Sequence, residues 1–553
     1  MSSAARAGEP APPPASPEAS PLPPGRPALP AAIAQSSPAA AALAGIAAAA
    51  VGIGVSELVA GLVPGTPSLI VAVGSLLIAL QPPGAKDLVV ALFGTSDKTV
   101  LGVSIAVVGL AAGAAAGVLA RRSLRNGVEL LLVVGTAAGV AALLQPLDSP
   151  LLGLLNAVIG AVVAIAALRY LLVLAAAPRV DVGARTGGAL EPPGGMPAWG
   201  RRRFLLGAGG LLGGALVAGG VGRFLLQRRF PAAAPVSANL PVPTELVPPL
   251  APAQSLTAPG ITPIVIPNDR FYRIDTELLV PQVDAATWQL QVTGMVDHLL
   301  TLSYDDLLAL PLFEQYVTIA CVSNPVGGDL VGNALWTGVH LRQVLAAAGI
   351  QAGATQIVGR AVDGFTVGFP TSWALDPSRE PMIAVGMNRV PLPAEHGYPA
   401  RLIVPGLYGY VSATKWLSEI QLTTMEAFDA YWVRLGWAKE GPIVTESRID
   451  HPADGASLAA GPVTIDGVAW APDRGISRVE VRVDGGAWEA AQLSRAISRA
   501  TWVQWLYRWT ATSGTHTIEV RAADGSGALQ SATPSAPFPS GARGYDRIQV
   551  AVA

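Results

Sequence analysis

The 553-residue sequence contains one cysteine, Cys321, and only 13% of its residues are charged, whereas 51% are hydrophobic. A single thiol cannot form an intramolecular disulfide, and it cannot build a zinc or iron–sulfur site by itself. The formal net charge of −2 gives no indication of nucleic-acid binding. Because so few charges accompany so many apolar residues, a chain that is soluble along its whole length is not expected.

Histidine is also scarce in this chain. The five histidines are His298, His340, His396, His451 and His516, all beyond the apolar first part of the chain. That part therefore offers no axial histidines for a bis-histidine haem. Its few charges within or near apolar runs are Glu57, Glu129 and Arg169. So sparse a set disfavours a transporter or sensor and favours anchoring or partner docking.

Apolar runs of the length that crosses a bilayer, about 20 residues, crowd the first 226 residues. They lie at 39–63, 67–81, 99–120, 127–145, 151–177 and 204–226. The second run is short and broken by Pro82-Pro83, with an extension to residue 94 as the alternative, so five or six spans are predicted. We expect a disordered Pro/Ala-rich tail at 1–37, transmembrane helices at 38–177, and a last transmembrane helix at 204–226.

Basic residues predict the orientation of these helices, because cytoplasmic loops are enriched in lysine and arginine. Arg121 and Arg122 follow the third run, and residues 178–203 form a predicted cytoplasmic loop that ends in Arg201-Arg202-Arg203. Everything after the last helix should then be extracytoplasmic, in a multi-pass protein of the cell membrane. Six spans would also put the amino terminus outside.

The segment from Gly200 to Leu206 resembles a twin-arginine export signal, in which two arginines precede a Phe-Leu pair and an apolar segment. An ordinary positive-inside anchor is the alternative. The helix after it carries Gly209, Gly210, Gly213 and Gly214, a pattern that permits close helix packing but is also common in signal-like helices.

The exported half divides into three parts. Residues 227–262 are rich in proline and alanine and predict a semi-rigid linker. Residues 263–430 mix strand-like and helix-like runs, which indicates an α+β domain. Residues 431–553 contain short alternating segments and turns such as Asp484-Gly485-Gly486, which are typical of an immunoglobulin-like β-sandwich. The predicted fold is therefore multi-domain, with a transmembrane bundle followed by these two domains.

Four segments together resemble the sulfite oxidase family of molybdenum–pterin enzymes. They are Asn268-Asp269-Arg270-Phe271-Tyr272, Cys321 with Leu335 to Leu341, Asp376-Pro377 through Asn388 to Leu392-Pro393, and His396 to Gly406 ending at Lys415-Trp416-Leu417. The β-sandwich tail resembles the family's carboxy-terminal dimerisation domain, which is consistent with a homodimer. The resemblance covers about 264–553 and does not include the apolar half.

The resemblance implies a molybdenum–molybdopterin cofactor and a role for each matching residue. Cys321 would be the thiolate ligand of the metal, since thiolates are soft, strong donors. The positions matching the pterin-binding residues are Asn268, Phe271, Asp363, His396, Arg401 and Lys415, the last three matching those that hold the phosphate. Without the surrounding motif, a buried small thiol, surface ion pairs and a core histidine would be preferred. Since we recognise no haem domain in the chain, a separate membrane or extracytoplasmic electron-transfer partner is expected.

The chain departs from the family where the substrate binds. Phe365 stands where the animal and plant sulfite oxidases have an active-site tyrosine, and Asn324-Pro325-Val326 replaces a segment with an arginine. Arg474 aligns with another anion-binding arginine, and Trp336 would help to shape the pocket. Loss of a buried hydroxyl and a guanidinium would each cost about 1–3 kcal/mol or more. A less charged molecule such as a sulfoxide therefore fits better than sulfite.

Three functions remain open at this point. The leading one is a membrane-anchored extracytoplasmic oxidoreductase that transfers an oxygen atom to or from a small molecule in a two-electron reaction. A sulfoxide-type reductase is favoured over a sulfite oxidase. A second is a sulfite or nitrate enzyme with a rebuilt anion site. A third is a cofactor-free extracytoplasmic binding or scaffold protein, against which the retention of Cys321 and the phosphate-binding residues argues.

Overall fold

The computed structural model describes residues 36–80, 97–144, 149–176, 198–229, 240–277 and 280–553. Most of the predicted tail at 1–37, the alternative extension of the second apolar run over 81–94, and most of the predicted loop at 178–203 lie outside these residues. The chain divides into two compact units. One contains Met1–Val51, Leu110–Val133 and Ala161–Gly214, and the other contains Gly52–Gly109, Val134–Gly160 and Ala215–Ala553. Each unit includes parts of the apolar helices, because the division falls within them.

The described part of the first 229 residues contains apolar helices. They are α1 (Pro38–Leu62), α2 (Leu69–Leu80), α3 (Asp97–Ala120), α4 (Leu124–Leu143), α5 (Pro150–Ala175) and α6 (Ala198–Arg229). Five of them are long and apolar enough to cross a membrane. Helix α2 has 12 residues and is too short, because a span takes about 20. The lower of the two predicted counts therefore agrees with the described helices.

Helix α6 begins earlier than expected. Its first residue is Ala198, so Arg201, Arg202 and Arg203 lie within the helix and not in a loop that ends at residue 203. No proline or glycine pair separates the arginines from Phe204, and arginine is a good helix former. The arginines therefore continue the helix that the apolar segment defines, and their side chains are exposed.

Close helix packing in the first unit depends on glycines of α1 and α3. A Cβ atom on Gly117 would lie 1.9 Å from the carbonyl oxygen of Ala41, and one on Gly45 would lie 1.9 Å from that of Gly113. Such distances require a residue without a side chain. Among the described residues, nothing lies within 4 Å of the Cβ positions of Gly209, Gly210, Gly213 and Gly214. The glycine pattern noted in α6 is therefore not at a helix contact here.

The second unit contains a buried polar cluster among the apolar helices. Ser68 Oγ donates a hydrogen bond to Glu57 Oε1 at 2.5 Å, and Arg223 Nη1 lies 3.6 Å from Glu57 Oε2. Asn156 Nδ2 donates to the carbonyl oxygens of Ser56 and Pro67. Since a carboxylate in an apolar setting needs compensating partners, these contacts explain how Glu57 is accommodated.

The α+β domain contains two sheets and four short helices. Its strands are β1 (Gln289–Gly294), β2 (Leu300–Ser303), β3 (Phe313–Ala320), β4 (Val331–His340), β5 (Gln356–Ala361), β6 (Thr366–Pro370), β7 (Met382–Met387), β8 (Val390–Pro391), β9 (Arg401–Ile403) and β10 (Leu417–Thr423). Its helices are α7 (Tyr304–Ala309), α8 (Leu341–Ala348), α9 (Thr371–Leu375) and α10 (Gly409–Ser412).

One sheet has the order β2-β1-β10-β5-β6, and the other has β3-β4-β7-β8 with β9 paired to β7. Only the β1–β10 pairing is parallel. Strands β3 and β4 are buried along almost their whole length. Leu290 of β1 and Val317 of β3 belong to one hydrophobic core, so both sheets contribute to it.

The carboxy-terminal domain is a sandwich of two sheets, as predicted. Its strands are β11 (Glu446–His451), β12 (Ser457–Leu458), β13 (Gly461–Trp470), β14 (Ile476–Val483), β15 (Glu489–Ala490), β16 (Gln492–Leu493), β17 (Val503–Ala511), β18 (Gly514–Asp524) and β19 (Asp546–Val552). The sheets have the orders β11-β13-β17-β16 and β12-β19-β18-β14-β15. Ile465 and Trp505 of the first pack with Val479 and Ile518 of the second, which is the alternating core of a β-sandwich.

The described part of the predicted linker is attached to the folded domains. Thr244 N donates to Leu312 O at 2.9 Å, and Leu256 N donates to Gln504 Oε1 at 2.7 Å. Gln504 Nε2 also donates to Thr262 O at 2.6 Å. Residues 240–262 therefore run along the domains and do not form a free spacer, because their backbone groups find partners there.

Candidate functional site

Cys321 directly follows strand β3, where the chain leaves the sheet. Its backbone N–H donates to Leu330 O at 2.9 Å, and Asn324 N donates back to Cys321 O at 3.1 Å. Asn324 Oδ1 also accepts from Leu330 N at 2.8 Å. These bonds close a tight turn at the strand end, and the thiol lines an open pocket. Cys321 therefore lies at the start of a turn after β3, with its side chain in the pocket wall.

The pocket has about 800 Å³ of empty space, including solvent at its mouth. Aromatic rings form much of its wall, namely Tyr272, Phe365, Tyr410, Trp416, Trp432 and Trp437. Four charged side chains reach it, namely Asp275, Asp363, Arg401 and Lys415. Five of the predicted site residues therefore meet here, namely Cys321, Asp363, Phe365, Arg401 and Lys415.

Arg401 begins strand β9 and is buried, with 5% of its surface exposed. Its Nη1 donates to His396 O at 3.2 Å, and its guanidinium lies 5.2 Å from the centre of the Trp336 ring. Burial lowers the pKa of Arg401 to about 10, so it stays a cation at neutral pH. Its Nε has no hydrogen-bond partner among the described residues. The pocket therefore contains a buried donor that can accept an anionic ligand.

Lys415 supplies the second buried cation of the pocket. Its Nζ donates to Asp275 Oδ2 at 3.0 Å and to Glu395 O at 2.9 Å. Burial lowers the pKa of Lys415 to about 8, against the attraction of Asp275, which raises it. The ammonium is therefore fixed in direction by two acceptors, and its third N–H can bind a further acceptor such as a phosphate oxygen.

His396 ends a short 3₁₀ turn beside the pocket and does not line it. Its Nε2 lies 2.8 Å from Asn268 O, and its ring meets the edge of Phe271 at 5.7 Å. Burial lowers the pKa of His396 to about 4, so the imidazole is neutral. Its buried Nδ1 has no partner among the described residues. A buried polar atom without a partner indicates that a ligand or water completes the site.

Asn268 and Phe271 support the site from behind. Asn268 Nδ2 donates to Met387 O at 3.2 Å, and its Oδ1 accepts from Asn388 at 2.7 Å. Phe271 stacks on Tyr272 with ring centres 5.2 Å apart and meets the edge of Trp336 at 5.9 Å. Neither side chain lines the pocket, so both hold its walls in place.

Two predicted pocket residues are placed elsewhere. Trp336 is fully buried, and its indole N–H donates to Val317 O at 3.2 Å. Arg474 is held by Asp524 Oδ2 at 2.9 Å and by Asp473 Oδ1 at 3.1 Å. Neither residue lines the pocket. Trp336 acts as the support beneath Arg401, while the structure does not bring Arg474 into the group around Cys321.

Sequence reasoning missed several residues of the pocket. Asp275 lies three residues after Tyr272, which ends the first family-like segment. Its acidic side chain so close to that segment and to Arg273 was the signal that could have indicated it. Trp432 and Trp437 line the pocket although they lie beyond the predicted domain boundary at 430. The density of aromatic residues from Tyr431 to Trp437 could have indicated them. The pocket-forming domain therefore extends past residue 430.

The fit of these residues to a phosphate-bearing, metal-binding group can be judged from their chemistry. A free thiol, two buried cations and two buried nitrogen atoms without partners surround or border one pocket. Thiolate is a suitable ligand for a soft metal centre, and buried cations are suitable for phosphate. No group of three or more metal-binding side chains occurs among the described residues. A metal here would therefore need most of its ligands from a non-protein group.

Comparison with known proteins agrees with this chemistry. Residues 277–432 match the family described as oxidoreductase molybdopterin binding domain, and residues 446–520 match a bacterial Ig domain. The chain is 32% identical over 271 residues to human mitochondrial sulfite oxidase, covering 41% of this chain and 49% of that protein. It is 35% identical over 158 residues to the uncharacterized oxidoreductase YuiH of Bacillus subtilis, covering 29% of this chain and 76% of that protein.

Among solved structures, the sulfane dehydrogenase SoxCD from Paracoccus pantotrophus aligns with a TM-score of 0.44 and 22% identity, covering 50% of this chain and 76% of that one. The chain spans about half the length of the mammalian sulfite oxidases that it matches. The matched range 277–432 contains Cys321, Asp363, Phe365, Arg401 and Lys415. These five predicted site residues therefore lie within the matched domain, while Tyr272, Asp275 and Trp437 line the pocket from outside it.

Proposed function

We propose, from the premise that this chain belongs to the sulfite oxidase family of molybdopterin-dependent oxidoreductases, that it binds molybdenum with molybdopterin and catalyses a two-electron oxygen-atom transfer. The observation that carries the proposal is the meeting of the Cys321 thiol with Arg401 and Lys415 in one pocket. Cys321 comes from the second of the four family-like segments, and Arg401 and Lys415 come from the fourth. Their convergence supplies a metal ligand and phosphate-binding groups together.

Different residues of the pocket would bind different parts of the cofactor. Cys321 would ligate molybdenum through its thiolate, and Arg401 and Lys415 would bind the phosphate of the pterin. His396, Asn268 and Phe271 would border the pterin, and Asp363 would contact its ring system. When bound, the cofactor supplies the two-electron redox change and the site at which oxygen is exchanged.

Asp363 is suited to hold a proton during the reaction. Its Oδ1 accepts a hydrogen bond from Phe365 N at 2.9 Å. Burial raises the pKa of Asp363 to about 6, so the carboxyl exchanges a proton near neutral pH. Reduction of a sulfoxide consumes two protons and two electrons and releases a sulfide and water. Asp363 can deliver one of these protons from the pocket wall.

The aromatic wall favours an uncharged substrate such as a sulfoxide. Phe365 has no hydroxyl with which to bind an anion, and Arg474 is held by Asp473 and Asp524. The carboxylate of Asp363, which has no cation paired to it in the described ion pairs, also lines the pocket and would repel an anion bound beside it. A sulfite or nitrate enzyme is the second candidate. It is favoured only by Arg401 and Lys415, which would have to bind the substrate and not the cofactor.

We further propose that the chain is anchored in the cell membrane with this pocket on the extracytoplasmic side. The five helices of spanning length support the anchor. With five spans, Arg121 and the arginines that open α6 lie on the same side as the start of α1, which is the cytoplasmic side. The domains after α6 are then extracytoplasmic. Electrons would pass to or from a separate protein, and the β-sandwich would mediate a homodimer.

Metal analysis of the full-length protein tests the cofactor. Protein made in a host that synthesises molybdopterin should contain molybdenum and pterin in near-equal amounts. Cys321→Ser and Cys321→Ala should lose the metal, because no other described thiolate can replace the ligand. Ser457→Ala, which removes an exposed hydroxyl of the β-sandwich, should keep it. Wild-type protein without molybdenum and pterin would refute the proposal.

A substrate comparison tests the reaction. The purified enzyme, reduced by an artificial electron donor, should turn over small sulfoxides faster than it oxidises sulfite with an artificial acceptor. Phe365→Tyr should shift this ratio toward sulfite, since it restores a hydroxyl in the pocket wall. Rapid sulfite oxidation by the wild-type enzyme would contradict the sulfoxide assignment and leave the cofactor assignment intact.

A further inference from the structure

Asp275 is the most heavily paired acid at the pocket. Its side chain is 5% exposed and meets three cations. Lys415 Nζ lies 3.0 Å from Oδ2, Arg273 Nε lies 3.4 Å from Oδ2, and Lys98 Nζ pairs with Oδ1. Since Asp275 and Lys415 both line the pocket, the acid connects Lys98 with the pocket.

Lys98 comes from a distant part of the chain. It lies in the first turn of α3, one of the helices of spanning length, and it is 177 residues from Asp275 in sequence. Its side chain is 22% exposed. The opposite end of α3 is followed by Arg121 and Arg122. Basic residues mark the cytoplasmic side, so the Lys98 end of α3 lies on the side proposed for the pocket.

Lys98 is one of three cations that keep the buried carboxyl group of Asp275 ionised. Burial acts to raise the pKa of Asp275, but Lys415, Lys98 and Arg273 together hold it below its ordinary range. A buried carboxylate that loses one of its cations becomes costly to keep ionised. Lys415 points at the pocket only while Asp275 and Glu395 O accept its hydrogen bonds. The position of Lys415 therefore depends on the charge balance around Asp275.

We propose that Lys98 is a positioning residue of the cofactor pocket. From the end of α3 it holds Asp275, and through Asp275 it orients the Lys415 ammonium that would bind the pterin phosphate. The membrane-anchoring part of the chain thereby completes the pocket and does more than attach it to the membrane. The inference rests on the proposed function, because Lys415 is assigned to the cofactor there.

The contact itself is tested without the cofactor. In a Cys321→Ser background, Lys98→Cys and Asp275→Cys are combined, and a protease site is inserted between residues 229 and 240. After treatment with a short bismaleimide, cleavage and denaturation, the two fragments should migrate together. Each single cysteine variant is the matched control and should give separate fragments. Separate fragments from the double variant would overturn the inference.

The positioning role is tested on the full-length protein by its content of molybdenum and pterin after extended dialysis. Lys98→Met should retain about tenfold less cofactor than wild type, which is the effect expected for a residue that orients a ligand-binding group. Lys98→Arg, which keeps the positive charge, should retain the wild-type content of molybdenum and pterin. Asp275→Asn should lose cofactor, and adding Lys98→Met should cause no further loss, because both changes break one chain of contacts.

Lys439→Met is the matched control, since Lys439 pairs with Asp429, which is half exposed. It should retain the wild-type content. Wild-type retention by Lys98→Met, or losses that add in the double variant, would overturn the positioning role while the proposed function stands. Wild-type protein that never contains molybdenum would instead refute the proposed function, and with it the role given to Lys98.

Discussion

At the residue scale, the buried acids of residues 240–553 differ in how they are compensated. Asp275 is surrounded by cations, whereas Glu446 is 4% exposed and its Oε1 has no partner among the described residues. Burial raises the pKa of Glu446 from 4.5 to about 8. Glu446 is therefore protonated at neutral pH in the folded protein, and its environment resists ionisation.

Replacement of Glu446 should change the pH dependence of stability. The folded state keeps the proton of Glu446 up to about pH 8, while the unfolded state releases it near its ordinary value. Folding stability therefore falls as the pH rises between these values. Glu446→Gln should remove this loss and stabilise the protein at pH 8 by about 1–3 kcal/mol, with little effect at pH 4.

Thermal midpoints of the full-length protein in detergent, followed by tryptophan fluorescence at both pH values, measure this effect. Glu440→Gln changes an exposed carboxylate nearby and should have no such effect. An equal shift of the Glu446→Gln midpoint at both pH values would mean that ionisation of Glu446 is not the cause.

The residues of the site show what a sequence can predict at this scale. Cys321, Arg401 and Lys415 were predicted by local motifs and meet in the pocket. Asp275 and Trp437 were missed because their roles depend on contacts between distant segments. No local periodicity indicates that Lys98 reaches Asp275 across 177 residues. Arg474, predicted by alignment alone, is bound by neighbouring acids outside this pocket.

At the element scale, helix length and glycine position decide the architecture of the apolar half. The second apolar run is as apolar as its neighbours, but the helix that it forms, α2, has only 12 residues. Apolar runs were visible in the sequence, whereas the glycines that form contacts were not distinguishable from those that do not. Gly117 and Gly213 both lie in apolar helices, yet only Gly117 meets a neighbouring backbone.

This difference predicts that a glycine-to-valine substitution is harmful at Gly117 and harmless at Gly213. Gly117→Val should separate α1 from α3, because a Cβ atom would lie 1.9 Å from Ala41 O. Overpacking of this kind costs about 1–3 kcal/mol, occasionally more. Gly213→Val has open space among the described residues and is the matched control. The yield of monodisperse protein in detergent and its thermal midpoint should fall for Gly117→Val alone. Equal loss in both variants would contradict the packing.

At the scale of the whole molecule, the order of parts was predictable because composition changes along the chain. Apolar runs, a mixed α+β region and short alternating strands follow one another, and each corresponds to described helices or sheets. The side of the membrane on which the pocket lies depends on the number of spans and on the arginines of α6. If the five helices of spanning length cross the membrane as proposed, the two ends of the helical region lie on opposite sides, because the number of spans is odd.

The proposed export of residues 240–553 can be tested through the arginines at the start of α6, which predict a twin-arginine route. Arg201→Lys/Arg202→Lys keeps both positive charges, so a helix that is oriented only by positive charge should still place residues 240–553 outside. A twin-arginine signal requires the arginines themselves. We therefore expect these domains to stay in the cytoplasm in the double variant, where protease added to spheroplasts cannot reach them. Arg121→Lys/Arg122→Lys, at the end of α3, is the matched control and should leave export unchanged. Full protease sensitivity of the Arg201→Lys/Arg202→Lys protein would show that positive charge alone orients α6 and that the twin-arginine hypothesis is wrong.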